Sequence, residues 1–401
     1  MHNALDRREG HRQPNRWLML FLLWLLYFSF GAVVRSPSPL VTPILKDLKI
    51  TFSQMGFVLG SWQLTYIAFA IMAGFIMDRW GIRKSIFVGA LIIALASSLR
   101  SLAIGFGTLL VFVALFGVGG PMISIGCPKT IARFFKGRER GTAVGVYTTG
   151  TWIGGTVALA ATNGLVMPLV GFSWRFTFVC YGLLAFLVAV LWWFLSNDAD
   201  AEEEIERFSP FRVLADLFKV HNIRMVFLSG LLTFGMMHGY FAWLPKILET
   251  AGMSPARAGI ASAIPLIAGI PAVLTIPRIV PHRYRGRIIG LLAVMAGLGI
   301  PGVLALKLPL IVGLIIFGVS GTCIMPMLVL RLMETPEVEL KYLGSATGVF
   351  FCLSEIGGFL GPFIVGFLVD LTEGFEAGVL FLTVMGLLIF VFMSLLKRET
   401  E

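Results

Sequence analysis

The chain has 401 residues, 57% of them hydrophobic and only 13% charged, with a mean hydropathy of +0.88. Soluble domains run near a quarter charged, so the composition excludes a soluble globular protein and describes one built for a bilayer. The net charge of +10 would point to nucleic acid in a soluble chain, but its distribution, given below, excludes that partner.

Residues 1–16, MHNALDRREGHRQPNR, form a polar, basic tail. No small-residue cleavage site follows the apolar run WLMLFLLWLLY, so the first segment reads as an uncleaved helix and not as a signal peptide. Twelve apolar segments then follow at 17–40, 52–77, 83–104, 108–135, 140–166, 173–195, 223–248, 255–280, 286–305, 309–332, 342–370 and 375–396. Each is long enough to cross a bilayer as a helix. The longest polar stretch, SNDADAEEEIERFSPFRVLADLFKVHN, divides them into two sets of six. The domain plan is thus an N-terminal half, 17–196, a cytoplasmic linker, 197–222, and a C-terminal half, 223–397. The acidic first part of the linker is expected to be solvated. Pro210 to Val220 alternates apolar and charged residues at helical spacing and is expected to lie along the membrane surface.

With the N-terminus inside, about 23 of the 32 Lys and Arg fall in inner loops and tails, against about 7 outside. This is the positive-inside asymmetry, which places both termini in the cytoplasm of a plasma-membrane protein. Basicity here is topology. Arg35 and Lys129 are left over inside segments. Cys127, Cys180, Cys323 and Cys352 lie in apolar segments without metal-type spacing and read as packing residues. No nucleophile–base arrangement, metal-ligand pair or phosphate-cradling loop stands out, so neither an enzyme nor a cofactor is expected.

The two halves repeat. GTAVGVYTTGTWIGG from Gly141 aligns with GSATGVFFCLSEIGG from Gly344, seven of fifteen positions being identical at an offset of 203. GVGG at Gly117 meets GVSG at Gly318 nearby, and Ile44, Leu45 and Gly56 meet Ile247, Leu248 and Gly259 at the same offset of 203. Two matches at 203 and one two residues out of that frame indicate a duplication giving parallel six-helix halves.

The stretch GFIMDRWGIRK, from Gly74 through Asp78, Arg79, Gly81 and Arg83 to Lys84, fits G-x-x-x-D-R-x-G-x-R-K between segments 2 and 3. On this motif and the repeat the chain resembles the major facilitator superfamily: an all-helical membrane protein of twelve helices in two pseudo-symmetric halves. The resemblance implies that the cluster latches the cytoplasmic side, with Gly344 and Ser345 at the start of helix 11 as its partner. The second-half counterpart, PRIVPHRYRGR from Pro277, keeps the arginines and lacks the acid. Within the superfamily the chain resembles the cyanate and nitroimidazole transporter branch. That likeness rests on the arginine before prolines in helix 1, Leu99 to Ser101, and YFAWLPKILETAGMSPARAG from Tyr240. Two positions depart from family patterns. Val113 stands where an arginine linked to proton coupling is expected, and Thr151 stands where the antiporter signature has proline.

Arginine inside hydrocarbon is costly, so Arg35 needs a reason. In a water-filled cavity its guanidinium can bind an anion bidentately, with Ser36 and Ser38 beside it; the alternative is that it snorkels to the outer interface. Glu355 lies 14 residues after Lys341 and 15 before Asp370, and His238 lies 14 after Arg224 and 11 before Glu249, so both fall near mid-membrane. Glu355 is a proton-coupling candidate, a structural partner for Arg35 or a polar contact between helices. His238 is a substrate or proton group or a structural one. Tyr240 and Trp243 beside it join the substrate-binding candidates, and Lys129 is a weaker one. The expected function is a monomeric secondary transporter of a small anion or anion-like solute, with H+ as a possible coupling ion. A drug or hydrophobic-solute exporter, or a transport-dead receptor on the same scaffold, is the alternative.

Overall fold

The computed structural model describes residues 15–197, 217–305, 309–335 and 343–397. The polar tail and most of the linker, including the expected surface helix at Pro210 to Val220, lie outside the described residues apart from their edges.

Twelve long helices follow in chain order: α1 (Arg16–Arg35), α2 (Phe52–Trp80), α3 (Ile82–Leu99), α4 (Phe106–Ala114 continuing as Phe116–Phe134), α5 (Gly137–Ala161), α6 (Trp174–Leu195), α7 (His221–Thr250), α8 (Pro255–Ile279), α9 (Arg285–Ala305), α10 (Leu310–Met333), α11 (Leu343–Thr372) and α12 (Glu376–Ser394). Ten spans among the described residues are long and apolar enough to cross a membrane, and α2 adds an eleventh, bent by 55° near Ala70. Twelve helices running alternately up and down bring Arg16 and Ser394 to the same end of the bundle, called here the terminal side; the other is the far side.

Local signals set the ends. Pro37 and Pro39 lack the amide hydrogens that would continue α1, and the chain passes through a short 3-10 turn, Ser38–Leu40, into a helix over Val41–Leu48. Thr51 and Gln54 form a capping box that opens α2. Gly81, at φ +82°, makes the reversal from α2 to α3 inside the GFIMDRWGIRK stretch.

The duplication is legible in three dimensions. A Cβ on Gly154 of α5 would fall 2.0 Å from the Phe28 carbonyl oxygen of α1, and one on Gly357 of α11 would fall 1.9 Å from the Leu231 carbonyl oxygen of α7. These pairs are equivalent positions at the offset of 203. Lipid is as apolar as leucine, so helices in a bilayer associate through close backbone approach of this kind. Each half buries its own apolar core: Leu23, Leu26, Ile86, Phe116 and Trp192 in the first, Phe317, Met327, Phe350 and Ile389 in the second.

The halves touch on the far side and part toward the terminal side. Along α2 and α11, Cβ positions at Gly366, Gly56 and Gly60 meet Phe52, Pro362 and Phe359. The last such contact links Gln63 to Gly358, and Gly74 and Gly348, further toward the terminal side, have nothing within 4 Å. Along α5 and α8, Asn163 donates to the Pro255 carbonyl (3.3 Å) and Gly259 abuts Leu159, whereas Gly145 and Gly141 face open space. The molecule is therefore a V whose apex lies near Gln63 and whose mouth is on the terminal side.

Candidate functional site

Four helices build the apex. A Cβ placed on Gly358 of α11 would sit 2.6 Å from His238 Nδ1 of α7, 3.2 Å from Gln63 Nε2 of α2 and 3.2 Å from Glu355 Oε2 of α11. Three polar side chains thus converge on the one position that has none. Gln63 is 1% exposed and Glu355 9%. Gln63 Oε1, His238 Nδ1 and Glu355 Oε2 are all buried without a hydrogen-bond partner among the described residues. Such atoms are rare in native structures, because each costs about 1–3 kcal/mol when left unmade. Around them stand the rings of Trp62 and Phe234, with centroids 5.9 and 5.1 Å from that of His238. Tyr66, one turn along α2 from Gln63, bonds Ser124 of α4 at 2.5 Å.

Arg35, the last residue of α1, lies at the same apex. Its guanidinium carbon is 4.6 Å from the centroid of the Phe241 ring of α7. Its stem packs where a Cβ on Gly155 of α5 would come within 3.1 Å, and Leu266 of α8 closes the same spot. The guanidinium is half-buried and has no hydrogen bond or ion pair among the described residues. It is within electrostatic reach of His238. Ser38 and Thr42 lie beyond it toward the far side, so it is not at the outer rim.

The helix break that presents Arg35 is held from behind. Pro37 deprives the Val33 carbonyl of its helical donor, and that oxygen instead accepts from Ser36 Oγ (2.9 Å) and from Nη1 of the buried Arg100 (3.1 Å). Ser38 Oγ donates to the carbonyls of Phe241 and Ala242. Both hydroxyls expected to assist Arg35 are therefore committed to backbone.

The other expected residues divide. The structure does not bring Tyr240 and Trp243 to the apex. Both are fully buried in the C-terminal half, where Tyr240 donates to the Gly297 carbonyl (3.3 Å) and Trp243 to the Pro362 carbonyl (2.8 Å). Lys129 points toward the terminal-side loop, with its Nζ 3.4 Å from Asp78 Oδ1. Arg83 bonds Ser196 Oγ (3.1 Å) and the Trp193 carbonyl, so it caps the end of α6. Gly74 and Gly81 have open space around them, and Arg79 and Lys84 are exposed. The side chains of Gly344 and Ser345, expected to complete the latch, are outside the described residues. The acid absent from the second-half loop is supplied from elsewhere: Glu334, at the end of α10, pairs with Arg285 and lies 3.4 Å from His282. Residues not expected from sequence are Gln63, Gly358 and Arg100. The available signal for the first is WQLTY, where Gln63 is the one amide beyond the first turn of α2.

Twelve helices in two repeated halves around a polar apex define a membrane transporter. The model of the Major Facilitator Superfamily matches residues 23–362, and the chain belongs to that superfamily. It is 25% identical to the hexuronate transporter of Bacillus subtilis (strain 168) over 95% of this chain and 93% of that one. It is 22% identical to a probable nitrate transporter of Staphylococcus haemolyticus over 90% and 92%. Among solved structures, the nucleoside transporter NupG shares the fold with a TM-score of 0.77 at 16% identity, covering 95% of this chain and all of that one (100%). The protein is a secondary transporter and not an enzyme.

Proposed function

We propose that this chain moves a small anion across the plasma membrane by alternating access, with Arg35 as the anion's seat. The observation that carries the reading is the half-buried Arg35, without a counter-ion among the described residues, at the apex between the halves. A cation taken partly out of water is costly unless a partner arrives, and a guanidinium pairs bidentately with a carboxylate or oxyanion. Relatives named for hexuronate and for nitrate both carry anions, and they widen the narrower resemblance to the cyanate and nitroimidazole branch. With both termini in the cytoplasm, the V opens inward. The halves, 17–196 and 223–397, then rock about Arg35 and His238 within a single chain. Glu355 and His238 are the groups placed to exchange a proton with each transport cycle. In the opposite, outward-open state the Gly74–Lys84 loop latches the terminal side against α11.

The test is uptake into proteoliposomes of labelled glucuronate, nitrate, a neutral sugar and a cationic dye, each with and without an inward proton gradient. Anion uptake abolished by Arg35→Ala, in a variant that stays monodisperse, supports the seat, and stimulation by the gradient supports coupling. Undiminished anion uptake by Arg35→Ala overturns the seat. Dye movement without anion uptake moves the chain to the exporter reading.

A further inference from the structure

The chamber at Gly358 is chemically unlike the seat at Arg35. The seat offers only donors. The chamber offers Glu355 Oε2, which accepts, His238 Nδ1, which accepts or donates according to tautomer, and the Gln63 amide, whose Nε2 donates at the Gly358 position and whose buried Oε1 is an unpaired acceptor. Nitrate or cyanate brings acceptors alone. Either would satisfy Arg35, leave the chamber's acceptors unpaired, and meet a like charge at an ionised Glu355. A hydroxyl group, in contrast, brings the hydrogen these acceptors lack.

The two places are spaced for one solute. His238, in the chamber, and Phe241, under the Arg35 guanidinium, are three residues apart on α7, which is about 4.5 Å along a helix axis and nearly the same face. A carboxylate on Arg35 and a hydroxyl on a nearby carbon of the same solute then fall at the two places together. Gly358 sets the chamber's size, because a methyl group there would occupy the point from which the three polar atoms are 2.6, 3.2 and 3.2 Å away.

We infer that the Gln63–His238–Glu355 chamber reads hydroxyl groups. The substrate is then a hydroxylated carboxylate and not a bare oxyanion, and Gln63 and Gly358 are specificity-determining residues. The inference rests on the reading of Arg35 as the anion seat. A substrate whose carboxylate lies on Arg35 places its hydroxyls against Gln63 and Glu355. A site built to bond a hydroxyl rejects the analogue without it, since its own buried groups then go unpaired.

The experiment is calorimetric binding to the purified full-length protein of gluconate and hexanoate, which share a six-carbon monocarboxylate skeleton with and without hydroxyls, and of nitrate. The wild type is expected to bind gluconate about tenfold or more tighter than hexanoate, the size of one or two buried hydrogen bonds. Gln63→Leu should bring gluconate to the hexanoate affinity and leave hexanoate unchanged. Gly358→Ala should weaken gluconate by a similar factor and spare nitrate; where that variant fails to fold, Gln63→Leu, which keeps the side-chain bulk, decides. Equal wild-type affinities, nitrate bound tighter than gluconate, or a Gln63→Leu variant that weakens both acids alike would overturn the inference, the last by making the chamber solvent-filled only. In those cases Arg35→Ala still tests the seat separately. Failure of every anion to bind the wild type removes the seat and the inference together.

Discussion

Ser38, in the turn that follows α1, donates from its hydroxyl to the carbonyl of Phe241 of α7 at 2.6 Å, and the two residues are 203 positions apart, the offset that separates the duplicated segments. Equivalent points of the two halves therefore meet at the pseudo-symmetry axis, on the far side of the apex. Proline chemistry supplies the acceptor, because Pro245 has no amide hydrogen to give to the Phe241 carbonyl four residues earlier. Ser38→Ala removes the replacement donor and leaves a buried carbonyl weakly satisfied, at about 1–2 kcal/mol. It is expected to shift the equilibrium toward the far-side-open form by about tenfold. Spin labels at the exposed Lys49 and Thr250 would report a larger share of long distances, and an unchanged distribution would show that this bond does not hold the closure.

Asp370 holds the same closure at its edge. From the last turn of α11 it accepts from the Phe52 amide (3.0 Å), the Ser53 amide (2.6 Å) and Ser53 Oγ (2.5 Å) at the start of α2. A carboxylate there meets the positive end of a helix dipole as well as unpaired amides. Asp370→Asn keeps the shape and loses the charge, about 0.3–1 kcal/mol at an exposed end. Amide exchange at Phe52 and Ser53 should rise about two- to fivefold, and the gap between variant and wild type should narrow in high salt. Exchange unaffected by the substitution would leave the carboxylate without a role in closure.

On the terminal side the ion pairs at the two repeated loops have opposite polarity. In the first half the acid, Asp78, is on α2 and the base, Lys129, on α4. In the second the base, Arg285, starts α9 and the acid, Glu334, ends α10. The first pair is exposed (side chains 44% and 35%), so it contributes little to folding. Exchanging the charges, with Asp78→Lys and Lys129→Asp together, should return the melting temperature to within a degree or two of the wild type. Transport should stay low, since the proposed latch uses Asp78 against α11 in the other state. Recovery of full transport would confine Asp78 to its partnership with Lys129.

Much of this molecule is written in one dimension, but direction around a helix and contacts between helices are not. Twelve segments, two halves and their offset follow from apolar length and repetition. Arg35, His238 and Glu355 stand out because ionisable groups are costly at mid-membrane. Tyr240 and Trp243 were grouped with His238 by nearness along the chain. Two and five residues on, they are turned by roughly 200° and 140° around α7, away from the apex, whereas Phe241, three residues on, returns to it. Gln63 is neutral and Gly358 sits among packing glycines, so neither is marked until α2, α7 and α11 are brought together. The pairing of Lys129 with Asp78, and the acid that Glu334 lends to the second-half loop, are likewise properties of neighbouring helices.

Arg100 is the most deeply buried cation among the described residues, 1% exposed, and its partner is a backbone oxygen. The Val33 carbonyl it holds is two residues before Arg35, at the end of α1 where unpaired carbonyls collect and a positive charge is favoured. Ser36 Oγ also reaches that oxygen, so Arg100→Met does not strand it, and no carboxylate is left behind in the protein interior. The variant should fold, with a loss of about 1 kcal/mol or less, because trading a buried ion for an apolar side chain of similar length is often neutral. What changes is the fixing of the broken helix end against α3. Anion affinity should therefore fall by about three- to tenfold through Arg35, with Arg100→Lys recovering part of it and the melting temperature nearly constant throughout. Adding Ser36→Ala to Arg100→Met removes the last donor, and there stability should drop by a further 1–3 kcal/mol. If Arg100→Met lowers the melting temperature and leaves anion affinity intact, the residue braces the half without aiming Arg35.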